Sequence, residues 1–296
     1  MIDWQSTLWV LLAGGLMATS CALIGCWLLL RRMALLGDAI SHAVLPGIVL
    51  AFWLTGSRAT LPMLLGAGVA GLLSTSIIQW LSQRRFVQSD AAIGITFTAL
   101  FALGVLLISR YSGQVDLDLD CVLYGEIAYV PWDLWIIGDT VLGPRAIWTL
   151  SGVLLITILF TTGLYKELLV STFDPVYAQA AGIPTRAMYH LLMAVVALVV
   201  VASFEVVGAI LVLAFLVVPP ATALLISRRL PMMILMSVVF GWLAVLLGYI
   251  AAHLLNVSIT GSMATASGIL FALTLLATGL RAGKGRPAIS AQRIER

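Results

Sequence analysis

Long apolar runs separated by short polar interruptions extend along almost the whole chain, from residue 7 to residue 280. A helix that crosses a bilayer needs about 20 mostly apolar residues. The runs that meet this length predict spans at 7–30, 34–54, 61–81, 91–109, 146–165, 187–204, 206–226, 231–253 and 262–280. The pattern therefore predicts an all-α, polytopic transmembrane helical bundle with about nine spans, occupying residues 1–280 and followed by a polar tail over 281–296.

The boundary between the sixth and seventh spans rests on three residues. One apolar stretch runs from 191 to 226, which at 36 residues is too long for a single crossing. Ser203, Glu205 and Gly208 interrupt this stretch. We therefore predict that the chain turns back at 204–208, although a count of eight spans stays open.

Composition agrees with a membrane protein. Hydrophobic residues make up 61% of the chain and charged residues only 10%, whereas soluble domains carry about 25% charged residues. The net charge of +3 is scattered between apolar runs, so nucleic-acid binding is not indicated. The three cysteines (Cys21, Cys26 and Cys121) form no CxxC pair, so neither a disulfide framework nor a zinc site is predicted.

The first apolar run resembles a secretory signal, because residues 23–26 read LIGC, as in a lipoprotein cleavage box. However, no Lys or Arg precedes it, and Asp3 occupies the region where a signal peptide carries positive charge. The run also continues past Cys26 to Leu30. These features favour a first transmembrane helix over a cleaved signal.

Basic residues indicate the orientation of the spans, because cytoplasmic loops of membrane proteins are enriched in Lys and Arg. With the N-terminus outside and the C-terminus in the cytoplasm, 13 of the 16 basic residues lie on the cytoplasmic side. The basic residues left outside are Arg58, Arg110 and Arg145. Acidic residues instead concentrate in the outer segment 110–145, where we expect a short interfacial helix within 122–135. The acidic stretch Asp116–Asp120 fits either a cation-attracting surface or a solvated loop.

Asp38 and His42 are the strongest candidates for a functional site. They lie four residues apart within an apolar span, so they share one face of a helix. Charged side chains within a membrane are costly and are often functional. A carboxylate and an imidazole together suit Mn²⁺, Fe²⁺ or Zn²⁺. Pro46 is expected to kink the helix and to leave the carbonyl of His42 free. The alternative is a buried hydrogen-bonded pair that fixes packing.

Weaker candidates for metal contact are Glu205, His190 and His253, each near the end of a span. Glu205 fits equally well as a residue at the entrance or as one that reaches water. The two histidines are isolated, which is more typical of a solvated or hydrogen-bonded side chain. Pro219 and Pro220 within the seventh span fit either a translocation path or a packing kink. Small residues in the third span predict close helix packing; they are Gly66, Gly68, Ala70 and Gly71.

A short helix is predicted over about 174–181, in a cytoplasmic connection. Asp174 followed by Pro175 is typical of a helix start, and Gly182 of a helix stop. The side chains expected on one side of this helix are Phe173, Val176, Tyr177 and Ala180. The helix lacks the basic face of a lipid-surface helix, so we favour docking to a soluble partner.

Several segments resemble the metal-transporting permeases of the ABC-3 family. They are LGDAISHAVLPGIVLAF (36–52), SDAAIGITFTALFALGVLL (89–107), DLDLDCVLYGEIAYV (116–130), STFDPVYAQAAGIP (171–184) and VVGAILVLAFLVVPPATALL (206–225). They follow the family order over most of the chain. The sequence SHAVLPG within the first segment is more similar to that of the manganese and iron branch of the family than to that of the zinc branch.

The resemblance implies a type II ABC importer-like permease in a prokaryotic cell membrane, with no permanent cofactor. Two copies would pair with a dimer of cytoplasmic ATPases, and an extracytoplasmic metal-binding protein would deliver Mn²⁺, or alternatively Zn²⁺ or Fe²⁺. Asp38 and His42 match family positions that contact the metal. The coupling helix at 174–181 would engage the ATPase through Phe173, Asp174, Pro175, Ala178 and Gly182.

Other classes of membrane protein remain alternatives. The chain has no GxxxxGK[ST] loop, so we predict a transport subunit and not an enzyme. A secondary metal transporter would need no ATPase but would be supported by inverted repeats, which the sequence does not show convincingly. An intramembrane metalloprotease would need an HExxH helix, which is also absent.

Overall fold

A computed structural model describes residues 4–56, 60–83, 88–111, 126–137 and 140–284. Within these ranges, nine helical segments are long and apolar enough to cross a membrane. The helices are α1 (Trp4–Leu30), α2 (Leu35–Ala43), α3 (Leu45–Thr55), α4 (Thr60–Gln83), α5 (Ser89–Tyr111), α6 (Arg145–Gly163), α7 (Tyr165–Phe173), α8 (Pro175–Ala180), α9 (Thr185–Val207), α10 (Ala209–Ile226), α11 (Leu230–Leu255) and α12 (Ile259–Lys284).

The predicted spans are confirmed to within a few residues. The second span consists of two helices, α2 and α3, which follow each other directly across Val44. The predictions for Arg58, Asp116–Asp120, Cys121 and the tail from residue 285 onward lie outside the described residues.

The outer connection before α6 contains more structure than the sequence predicts. The expected interfacial helix is present as a 3₁₀ helix, Ile127–Trp132, with Ile127 fully buried against the bundle. Two strands follow, β1 (Leu134–Ile137) and β2 (Thr140–Pro144), which pair antiparallel with Ile136 opposite Val141. This hairpin was not predicted, because strands of four and five residues are too short to show a clear alternation of polar and apolar residues.

Helix α1 lies at the centre of the fold and contacts α6, α10 and α11. Near its first turn, the hydroxyls of Thr7 and Tyr249 are 2.7 Å apart. Farther along, the indole N–H of Trp242 donates to Thr19 at 3.1 Å. These contacts make α1 the scaffold on which the other spans are arranged, so it is an integral helix of the bundle.

The two adjacent prolines of α10 do not break the helix, and both are buried. Pro220 has no N–H, so the carbonyl of Leu216 lacks its usual helical donor. That carbonyl lies directly against Gly25 of α1, where a Cβ atom would overlap it and would also come within 2.8 Å of the Pro220 ring. The prolines therefore support close packing between α1 and α10, and Gly25 provides the necessary space.

The predicted division of the long apolar stretch is confirmed, with the break at Gly208. Helix α9 continues through Ser203 and Glu205 to Val207, and α10 begins at Ala209. Gly208 has φ +79° and ψ 166°, a conformation in which only glycine is comfortable. One residue therefore joins two membrane helices.

Close contact between α3 and α4 depends on two facing glycines. A Cβ atom at Gly47 would overlap the carbonyl oxygen of Gly66, and one at Gly66 would lie 2.5 Å from the Cβ of Ala51. Gly68, two residues farther along α4, has open space around it within this chain. The small residues of the third span therefore differ in role, as membrane helix packing requires small residues only at the contact.

We expect Gly66→Val to lower the melting temperature of the detergent-solubilised protein, because the larger side chain cannot fit between α3 and α4. Overpacking of this kind costs about 1–3 kcal/mol. Gly68→Val is the matched control, since the same change in the same helix meets no neighbour. Equal melting temperatures for the two variants would show that the α3–α4 contact does not limit stability.

Candidate metal centre and coupling helix

Asp38 and His42 face each other along α2. The Nε2 atom of His42 is 3.5 Å from Oδ1 of Asp38, and the side chains are 25% and 50% exposed, respectively. This geometry follows from the four-residue spacing on a helix. The partial exposure leaves both groups accessible at the surface of this chain.

Neighbouring helices hold the opposite face of α2 in place. A Cβ atom at Gly37 would overlap the side chain of Leu216, so α2 packs directly on α10. A Cβ atom at Gly71 of α4 would lie at ordinary van der Waals distance from Ile40 and Val44, at 3.5 and 3.7 Å. With Ile40 fully buried, α2 cannot rotate without losing these contacts. The orientation of Asp38 and His42 is therefore fixed by packing on the far side of their own helix.

The helix is interrupted just after His42, as Pro46 predicts. Val44 forms the junction, and its N–H is directed to the carbonyls of Ile40 and His42. The amide of Val44 makes the ordinary helical hydrogen bond to Ile40 at 3.1 Å, so the release of the His42 carbonyl by Pro46 stays a prediction. The interruption still ends α2 one residue beyond the imidazole.

Two phenylalanines of α5 enclose the imidazole of His42. The ring centroid of Phe97 is 5.3 Å from that of His42, and Phe101 meets it edge-on at 5.7 Å. Sequence analysis did not identify these residues. Their four-residue spacing within 89–107 is the signal that could have done so, since it places both on one face of a helix.

The weaker metal candidates do not join the pair. No group of three or more His, Cys, Asp or Glu side chains placed to hold a metal ion occurs in the described part of the chain. Glu205 is exposed near the end of α9, His190 lies beside Tyr189 near its start, and His253 packs on Tyr249 in α11. These three residues lie at different places in the fold, and their contact with a metal stays a prediction.

The short helix predicted at about 174–181 is present as α8, Pro175–Ala180. The side chain of Asp174 caps its start and accepts a hydrogen bond from the N–H of Tyr177 at 2.9 Å. At its end, Gly182 adopts φ +82° and the N–H of Ile183 donates to Ala178 at 2.9 Å. Both ends are therefore defined by local sequence, as the Asp-Pro and Gly signals predict.

Three large apolar side chains on α8 and directly before its cap are exposed. Phe173, Val176 and Tyr177 are 63%, 78% and 62% exposed, respectively. Ala178 is fully buried, so it cannot contact a partner directly, contrary to the expectation that it forms part of the coupling surface. Its burial follows from its position on the face of the two-turn helix that packs against the protein. We call Phe173, Val176 and Tyr177 the coupling surface.

The family was established by comparison with known proteins. The profile described as "ABC 3 transport family" matches residues 3–278 of the chain. The chain belongs to this family. The match includes α2 with Asp38 and His42, α8 and all nine membrane-spanning segments, so the features described above lie within the shared region.

Relatives in the ABC 3 family are similar over nearly the whole chain. The manganese transport system membrane protein MntD of Bacillus subtilis is 46% identical over 268 residues, which cover 90% of each protein. The zinc transport system membrane protein TroD of Treponema pallidum is 39% identical over 91% of this chain and 73% of its own. PsaBC from Streptococcus pneumoniae, solved in complex with Fab, is 33% identical, with a TM-score of 0.76 and 92% coverage of both chains.

Proposed function

We propose that this ABC 3 family chain is the permease subunit of an ATP-driven importer for divalent transition-metal ions, with Mn²⁺ as its substrate. The observation that carries the proposal is the Asp38–His42 pair at 3.5 Å on an interrupted membrane helix. One carboxylate oxygen and one imidazole nitrogen suit a borderline metal such as Mn²⁺, Fe²⁺ or Zn²⁺. The manganese relatives favour Mn²⁺, and the relative named for zinc keeps Zn²⁺ as the alternative.

A second copy of the chain completes the metal site in this proposal. One chain offers two side-chain ligands, while six-coordinate or four-coordinate metals need more. The side chain of Asp38 is half exposed, so it can face another protein surface. A twofold axis beside α2 would bring the same pair from each copy to one ion, giving two carboxylates and two imidazoles.

The coupling surface is proposed to dock into a groove of a cytoplasmic ATPase. Two large apolar side chains on the capped helix α8, together with Phe173 directly before the cap, match the anchors of helix-in-groove recognition. The basic loops favour a cytoplasmic location for this helix, with the N-terminus outside. The metal would then arrive from an extracytoplasmic binding protein at the opposite end. The setting is a prokaryotic cell membrane.

Transport would proceed by alternating access. Asp38 and His42 hold the ion while α10 and α4 keep α2 in its orientation, and Phe97 and Phe101 keep water away from the imidazole. Movement of α8 on ATP binding and hydrolysis would then change which side of the membrane the pair faces. The metal would be released when the geometry of the four ligands is disturbed.

The proposal is tested with proteoliposomes that contain the permease, its ATPase and its binding protein. We expect Mn²⁺ uptake that requires ATP, stops with vanadate and persists when a protonophore collapses the proton gradient. Uptake that is instead abolished when the proton gradient collapses, and that is not inhibited by vanadate, would identify a secondary transporter. Parallel assays with Zn²⁺ and Fe²⁺ decide the substrate among the three metals.

We expect Phe101→Ala to raise the Mn²⁺ concentration for half-maximal uptake, because the imidazole of His42 loses an edge-on ring that restricts its rotation. Aromatic contacts of this type contribute about 0.5–1.5 kcal/mol, or roughly twofold to tenfold in affinity. Leu103→Ala in the same helix is the control, since Leu103 is 47% exposed and lies away from the site. An unchanged half-maximal concentration in Phe101→Ala would exclude this role.

A further inference from the structure

Arg31 connects the end of α1 to the segment that leads into the coupling helix. Its Nε donates to Oγ1 of Thr172 at 3.0 Å, and its Nη2 donates to Oγ of Ser171 at 2.9 Å. Ser171 and Thr172 form the last turn of α7, and Phe173 and Asp174 follow directly before α8. The guanidinium therefore binds α7 three residues before the first residue of the coupling helix.

The two hydroxyls are oriented to receive a guanidinium. Both donate to the carbonyl of Leu168, from Ser171 at 3.2 Å and from Thr172 at 2.6 Å. A hydroxyl has one hydrogen to donate, so each has only lone pairs left for Arg31. A guanidinium, which only donates and does so in a planar fork, matches two adjacent acceptors better than a lysine ammonium does.

On its other side, Arg31 belongs to a tightly bonded connection between α1 and α2. The N–H of Met33 donates to Leu28 at 2.9 Å and that of Arg32 to Leu29 at 3.0 Å, which is the Schellman pattern of a helix end. Arg32 holds the left-handed conformation at φ 58°. Helix α2 begins only four residues after Arg31, and its first turn contains Asp38. A displacement of Arg31 therefore moves the start of α2.

A second contact keeps α7 aligned with α1. The ring of Trp27, which is fully buried, meets the ring of Tyr165 edge-on at 5.9 Å. Tyr165 is the first residue of α7, whereas Ser171 and Thr172 are near its end. These contacts at both ends hold α7 against α1. A displacement of α8 is therefore transmitted through α7 to Arg31.

We propose that Arg31 is a positioning residue that transmits movement of the coupling helix α8 to α2, and hence to Asp38 and His42. The inference rests on the proposed function, in which α8 receives the ATPase and α2 holds the metal. It adds a defined mechanical link between the two. The link runs from Asp174 through the hydroxyls of α7 to the guanidinium, and from there through the α1–α2 connection.

The test measures Mn²⁺ taken up per ATP hydrolysed in proteoliposomes that contain the permease, ATPase and binding protein. We compare Arg31→Met, the double variant Ser171→Ala/Thr172→Val, and all three changes together. Each of the first two is expected to lower the ratio about tenfold, the usual cost of losing hydrogen bonds to a charged group. The combined variant should be no worse than Arg31→Met, because all three changes remove the same link.

Two further variants control for charge and shape. Arg32→Met removes an equal charge from the same connection at an exposed position, so its ratio should stay within about twofold of wild type. Arg31→Lys should recover part of the ratio, because an ammonium can replace one of the two hydrogen bonds. Equal losses in Arg31→Met and Arg32→Met would overturn the proposal in favour of a general charge effect.

The outcomes separate this proposal from the proposed function. Absence of ATP-dependent Mn²⁺ uptake in the wild type contradicts the proposed function itself. Normal wild-type uptake with an unchanged ratio in Arg31→Met, or additive losses in the combined variant, overturns only the role of Arg31. If Arg31→Met fails to assemble, the double hydroxyl variant decides, because it keeps the charge and the helix; a normal ratio there assigns Arg31 a purely structural role.

Discussion

Uptake of Mn²⁺ is expected to fall more than about 100-fold in Asp38→Asn and in His42→Ala, because each variant removes one of the two ligands that a chain supplies. Asn keeps the size of Asp38 but not its charge, and both side chains are partly exposed, so the helix packing is preserved. We therefore expect normal assembly with the ATPase. The measurement is ATP-dependent uptake by purified, reconstituted complexes.

Ser41→Ala provides a control within the same helix. Ser41 is buried between the two candidate ligands in sequence, and its hydroxyl donates only to the carbonyl of Gly37 at 2.8 Å. Its replacement should leave uptake near the wild-type level. Normal uptake by both Asp38→Asn and His42→Ala would exclude these residues as the metal site, whatever the behaviour of the control.

Val176→Asp is expected to separate ATP hydrolysis from transport. Val176 is 78% exposed at the centre of the coupling surface, so a charge there does not disturb the permease itself. In a groove of the ATPase, however, the same carboxylate would be buried without a partner, and loss of a central anchor costs about 2 kcal/mol or more. Metal-stimulated ATP hydrolysis and the amount of ATPase that co-purifies should both fall.

Two other substitutions sharpen this test. Val176→Thr keeps the shape of the side chain and should retain the ATPase. Ala178→Asp should instead destabilise the permease before any partner is added, because Ala178 is fully buried. If Val176→Asp retains full metal-stimulated hydrolysis, the coupling surface binds something other than the ATPase.

Much of this architecture could be predicted from sequence because each signal was local. Apolar runs of bilayer length specify the spans, and Asp174 with Gly182 specifies both ends of α8. The proximity of Asp38 and His42 follows from helical geometry alone. In each case the determining residues lie within a few positions of the feature that they determine.

The remaining features depend on contacts between distant segments. Phe97 and Phe101 lie in a run that is apolar on all sides, since lipid and protein neighbours both accept phenylalanine, so sequence does not show which ring faces His42. The same limit applies to the burial of Ala178, which depends on how α8 packs. Likewise, the sequence shows Arg31 only as one basic residue of a loop that is predicted to be cytoplasmic.

The single-residue joint at Gly208 sets a limit on how the chain can vary in length. A change in the length of this joint would shift α10 relative to α9, because a single residue in a fixed conformation connects the two helices. Leu216 would then turn away from Gly25 and Gly37, the two glycines that accommodate it. Insertions and deletions that accumulate during evolution should therefore be absent from this point, and fusion tags or epitope insertions belong elsewhere in the chain.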